Sequence, residues 1–278
     1  MSGKSEKVPG KMLKLLKNDF LASSRVISLF YLVEVVALLA FFVGKKMDNT
    51  KVTAIGASAS VLVCFLLIFV SFFFVVYDFN KSMFGQQGYL TFSLPVSSNQ
   101  LLGSKMIVYG AWMIVSFFVF ILVLLYFSKY VETDVVGEET MGTAETLMAL
   151  FNFPSKAQII TYAVYIIAYF FILVLAFVSM IYFALAASHM RPFQKSNIMW
   201  AIIIFIANCV VMSIIISSLE KAFDLYLVLY EDKSFGFIVG MPTVGTPLTI
   251  TPALYFIVQG IALFYGTSYI MHKKINIK

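Results

Sequence analysis

Six apolar runs, each approaching or exceeding the roughly 20 residues needed to cross a hydrocarbon core, recur along the chain and leave it few ways to fold. They lie at about 26–43, 53–77, 106–127, 157–187, 197–218 and 249–271. In lipid every backbone amide must find its partner within the protein, so only helices and closed barrels cross a membrane. These runs are continuous rather than alternating, which excludes a barrel. The fold class expected is therefore all-α: a polytopic membrane protein with six transmembrane helices, forming one transmembrane domain over 1–278. A composition of 61% hydrophobic and 12% charged residues excludes a soluble domain. The first 25 residues are basic and polar, without the short apolar core of a cleavable signal, so the first span is expected to target the chain. Cys64 and Cys209 fall inside apolar runs and read as packing residues.

The segments between the runs carry the individuality of the sequence. Lys11 to Ser24 is amphipathic at helical period, with Met12, Leu13, Leu16 and Phe20 on one side and Lys11, Lys14 and Lys17 on the other. That pattern predicts an elbow helix lying in the membrane interface with its lysines among the headgroups; a plain basic flank is the simpler alternative. The second run opens on Ala54, Gly56, Ala57, Ser58, Ala59 and Ser60, small residues that let helices approach closely in lipid. Between the second and third runs lies GQQGYLTFSLPVSSNQLLGSK, Gly85 to Lys105. It reads as a short surface helix, a break at Pro95, and a capping box of Ser97 with Gln100 that starts the next helix. An ordinary interfacial loop would share this spacing. Residues 219–249 are too apolar for a free loop and too interrupted for a span, and are expected to form a re-entrant or interfacial helix pair on the outer side. Pro252 falls in the favoured first turn of the last helix.

Glu34 is the one carboxylate placed inside a span. An intramembrane acid normally faces a cavity or a partner, which makes it a candidate for substrate binding or gating, against a simple interhelical hydrogen bond. Asn208 is the second such candidate, within the fifth run. The four segments on the side of the N-terminus carry thirteen of the twenty Lys and Arg residues and the three opposite loops carry seven. The positive-inside rule then puts both termini and the Gly85–Lys105 stretch in the cytoplasm, in a multi-pass protein of the plasma membrane. The net charge of +6 points to anionic lipid headgroups as a partner rather than nucleic acid. The sequence has no GxxxxGK[ST], no HExxH and no GxSxG; Gly56–Ser60 lacks the second glycine of the last. His189 and His272 stand alone at span ends, so no catalytic residue, resident cofactor or metal ligand set is expected.

The string Gly88-Tyr89-Leu90-Thr91-Phe92-Ser93-Leu94-Pro95-Val96-Ser97, followed by Gln100-Leu101-Leu102-Gly103-Ser104-Lys105, resembles the G-Y-L-x-x-x-L-P-V-S … Q-L-L-x-S-K pattern common in type-2 permeases, the membrane subunits of ATP-binding-cassette transporters. The resemblance covers some 18 residues closely and the rest as architecture. It implies that 11–24 is the family's elbow helix, 82–94 its cytoplasmic coupling helix and 219–249 its re-entrant element. Gly88, Tyr89, Leu90, Phe92, Leu94 and Pro95 would then meet a separate ATPase subunit, which would hold the ATP and magnesium. A second permease copy or homologue, an exporter's direction and a bacterial source are further implications, with a peptide, lipid or drug-like amphipath as substrate. The family often has an acid just before the glycine, where this chain has Gln86 and Gln87, so a pairing with a basic residue of the ATPase would be altered. Two other functions fit the same sequence: an ATPase-independent carrier coupled to ions or protons through Glu34, and an immunity or sensor protein that binds an antimicrobial peptide at acidic outer loops such as 128–157.

Overall fold

The computed structural model describes residues 8–85, 88, 96–135, 156–193, 196–229, 235–240 and 246–273. Among these, six helices are long and apolar enough to cross a membrane, and the chain is a multi-pass membrane protein. They are α1 (Val8–Lys46), α2 (Thr50–Met83), α3 (Ser98–Val135), α4 (Lys156–Ser188), α5 (Asn197–Ala222) and α6 (Thr251–Lys273). The chain divides into two compact units, one holding α1–α3 and the other α4–α6.

In the first unit α1 is one helix of 39 residues, about 58 Å at 1.5 Å per residue. The expected break between an elbow and a span near Arg25 does not occur. No proline or glycine interrupts 11–43, and the Ser23 and Ser24 hydroxyls bond back to carbonyls of the preceding turn instead of capping a new helix. Ser23, Ile27, Glu34, Ala37 and Phe41 are buried, at steps of three, four and seven, so α1 packs by one stripe.

The turn to α2 is closed by Asn49, whose side chain accepts from the Lys51 and Val52 amides at 3.2 and 3.3 Å. The small residues at the start of α2 do bring the helices together: a Cβ on Gly56 would stand 2.4 Å from the Phe41 nitrogen, and one on Gly44 2.5 Å from that of Thr53. Further along, Phe41, Cys64, Val123 and Phe127 join the three helices in one buried cluster. Helix α3 begins where the capping box places it. Gln100 accepts from the Ser97 amide at 3.2 Å while its own amide donates to the Ser97 hydroxyl at 3.3 Å.

In the second unit α4 is the central helix and packs against both α5 and α6. Gly260 of α6 lies over Ala176, and Phe177 meets Phe205 of α5 edge-on at 5.6 Å between ring centres. Residues 219–249 do not form the expected helix pair. After α5 ends they make an antiparallel sheet, β1 (Leu225–Leu229), β2 (Phe235–Val239) and β3 (Thr246–Thr249), in the order β2-β1-β3. Leu227 stands opposite Phe237 on one side and Leu248 on the other. The leucines of Leu225–Leu229 alternate with the β-forming Tyr226 and Val228, β2 carries Phe235, Phe237, Ile238 and Val239, and Gly240 ends β2 at a φ of 91°, which favours strands over a helical period. The fold is thus mostly helical with a small sheet. Thr251 staples this sheet to α6: its hydroxyl accepts from the Leu225 amide at 3.0 Å and donates to the Phe223 carbonyl at 2.9 Å. Pro252 follows in the first turn of α6.

Candidate functional site

The segment joining α2 to α3 is the most distinctive stretch of the sequence, and the structure shows how both of its ends are fixed. At the α2 end, the amides of Phe84 and Gly85 both donate to the Asn80 carbonyl, at 2.9 and 3.0 Å, and terminate the helix. The Gly88 amide then donates to the Gly85 carbonyl at 2.9 Å. Gly88 is buried, and a Cβ there would stand 2.7 Å from the Met83 carbonyl oxygen, so the close approach requires glycine. Tyr89, Leu90, Phe92, Leu94 and Pro95 lie outside the described residues. At the α3 end the Ser97–Gln100 capping box sets the first helical residue.

Just inside these two ends sits an ionic cluster. Lys105 of α3 is 3% exposed and its ammonium pairs with Asp19 of α1 at 3.3 Å and with Asp78 of α2. The Ser104 hydroxyl donates to the other Asp19 oxygen at 2.8 Å. Further along both helices, the Trp112 indole N–H donates to the Ser23 hydroxyl at 2.9 Å, and its ring stacks on Phe20 at 5.1 Å between centres. Ser104 and Lys105 close the family-like string, yet the sequence reading gave them no role and left Asp19 unmentioned. Lys105 stood at the edge of an apolar run and read as a flank. The signal available was a lysine a full two turns past a helix cap, where a buried cation requires counter-charges from other helices.

The residues taken as an interfacial elbow are placed differently from one another. Lys14 and Lys17 are exposed, while Phe20 packs on Trp112 and the Met12 methyl reaches toward Gly103 at 3.9 Å from its Cβ position. Lys11 is in the helix, its side chain outside the described residues.

Glu34 is buried to 2% exposure, facing α2. The Ser60 hydroxyl donates to its Oε1, and the Cys64 thiol lies beside the carboxyl. Its Oε2 has no hydrogen-bond partner among the described residues. Three residues earlier on α1, the Tyr31 hydroxyl meets Ser116 of α3 at 3.0 Å, and Ser116 meets Ser71 of α2 at 2.9 Å. Asn208 belongs to the other compact unit, where its side-chain amide donates to the Ile204 carbonyl of its own helix at 3.2 Å. His189 follows the end of α4, with its Nδ1 2.8 Å from the Leu185 carbonyl; burial holds the imidazole below its ordinary value, partly offset by that hydrogen bond. No family model, no curated protein and no solved structure matches this chain.

Proposed function

We propose that the chain is the membrane-spanning subunit of a transporter driven by a separate ATP-binding-cassette ATPase, of the type-2 permease class. The single observation that carries this reading is the string from Gly88 to Lys105, with its glycine turn, proline break and capped helix start. The geometry around it supports the reading. Residues 82–94 leave α2 through a terminated helix and Gly88, and the chain re-enters α3 through a capping box, so the segment is held at both ends. A lever between an ATPase and a helix bundle requires ends anchored in this way. Tyr89, Leu90, Phe92 and Leu94 supply the aromatic and aliphatic anchors that a protein–protein contact favours.

In this reading the lysine-rich side, both termini and the coupling segment face the cytoplasm of a bacterial cell, and a second permease copy or homologue completes the path. The ATPase carries the nucleotide chemistry, and the substrate is an amphipathic peptide, lipid or drug-like molecule moved out of the membrane or the cell. The test is affinity purification of the tagged chain from its native membrane in mild detergent, with mass spectrometry of what co-purifies. A stoichiometric soluble subunit bearing a P-loop is the expected result. A chain that comes down alone with its spans intact would overturn the reading.

One observation favours a second reading. Glu34 sits in the span region beside the Cys64 thiol, with its Oε2 unpartnered among the described residues, as a residue that exchanges a proton or cation would. Transport that persists without any ATPase and is abolished by Glu34→Gln would establish that carrier mechanism instead.

A further inference from the structure

Lys105 holds the cytoplasmic-side ends of three helices through one ammonium group. Asp19 comes from α1, Asp78 from α2 and Lys105 from α3. Asp78 lies five residues before the end of α2 and Lys105 seven residues after the start of α3, so the cluster stands immediately behind the segment that joins them. The carboxylates keep 18% and 21% of their side-chain surface exposed while Lys105 keeps 4%, so the cation is the buried hub and the anions reach toward the rim. A buried charge that loses its partner is costly, so neither α1 nor α2 can leave the hub without stranding a carboxylate.

We infer that Lys105 is a positioning residue, a clamp that makes α1, α2 and α3 respond as one body to displacement of the 84–97 segment. The clamp itself follows from the geometry; its part in coupling rests on the transporter reading above. The two carboxylates divide the labour. Asp19 ties α1 to the hub, with Ser104 as a second contact to the same carboxylate. Asp78 ties α2. The recognisable string ends in Ser-Lys because those two side chains receive the other two helices, while its Gly-Tyr-Leu start lies on the segment to be pushed.

The molecule carries its own reporter. Trp112 of α3 donates to Ser23 and stacks on Phe20, both of α1, so its mobility reads the α1–α3 contact and not the α2 contact. In a Trp200→Phe background it is the remaining tryptophan. Fluorescence anisotropy of Trp112 is measured in the purified, folded chain. Lys105→Met and Asp19→Asn are expected to lower it, and Lys105→Arg to preserve it. Asp78→Asn is expected to leave it unchanged, because the Lys105–Asp19 pair remains. If Lys105→Met does not fold, the two aspartate variants still decide, since their effects must differ. Equal loosening by Asp19→Asn and Asp78→Asn, or no change in any variant, would overturn the clamp.

With the co-purified ATPase present, ATP is expected to leave the Trp112 signal unmoved in the native triad and to shift it in Asp19→Asn. A shift in the native chain would show that α1 and α3 do not move as one. If no ATPase partner exists, the nucleotide arm has no object, while the resting anisotropies still test the clamp.

Discussion

In the unit of α1–α3 several polar side chains reach across to neighbouring helices: Lys105 to Asp19 and Asp78, Trp112 to Ser23, Tyr31 and Ser71 to Ser116, and Ser60 to Glu34. In the unit of α4–α6, Ser179, Ser188, Asn208, Ser218 and Thr267 instead bond carbonyls three or four residues back in their own helices. Expelling water does not drive helix association in lipid, so close packing and cross-helix hydrogen bonds must supply it. The first unit uses both, at several levels along the helices, and its register is fixed. The second packs small and aromatic residues around α4 and spends its polar ties between elements on the sheet, through Tyr165 and Thr251. In α5 only Ala201 is buried, while Ile198, Ile202, Ile206, Val210 and Ile214 are all more than half exposed. The difference gives the unit that carries the 84–97 segment more ties between helices, and leaves most of the α5 surface in the other exposed.

The largest effect should come from breaking backbone-to-backbone contact in the first unit. Gly56→Ala places a Cβ within 2.4 Å of the Phe41 nitrogen, where only backbone movement can relieve it. The expected loss is about 3 kcal/mol of stability, the upper part of the overpacking range. The matching change in the second unit, Gly260→Ala, meets Ala176 at an ordinary 3.5 Å and should cost less than about 0.5 kcal/mol. Unfolding in mixed micelles of increasing SDS content measures both. Equal costs would remove the contrast between the units.

A smaller effect separates cross-helix from within-helix hydrogen bonds. Ser116→Ala removes the group that Tyr31 and Ser71 share, and should cost about 1 kcal/mol, near the interhelical values found in membrane proteins. Asn208→Ala removes only a bond to its own helix and should stay within about 0.5 kcal/mol. The same SDS titration decides, and a larger loss for Asn208 would give that residue a cross-helix role the geometry does not show.

What could be read in the sequence follows the range of the interactions involved. The six spans, the Ser97–Gln100 cap, the small-residue face of α2 and the burial of Glu34 depend on residues a few positions apart or on the bilayer itself. The elbow was misread because amphipathicity marks where lysines cluster, not where a helix ends; Ser23 and Ser24 could cap a new helix or bond backward, and only the fold decides. The sheet was misread because Leu225–Leu229 is apolar on both faces and shows neither a period of two nor one of 3.6. The Lys105 cluster was invisible because it needs the register of three helices separated by as many as 86 residues.

The weakest expected effect lies at the end of α4, and its sign follows from the direction of one shift. His189 is held below the ordinary imidazole value mainly by burial. The unfolded chain therefore binds more protons than the folded one between the depressed folded value and about 6.5, and stability rises with pH across that window. The contribution is complete above the unfolded value and is lost as pH falls toward the folded one. Thermal midpoints of the purified protein should thus drop slightly between pH 7.5 and pH 5.5, and His189→Gln should remove that part of the drop. A pH dependence that survives His189→Gln unchanged would place the titrating group elsewhere in the molecule and remove its assignment to the end of α4.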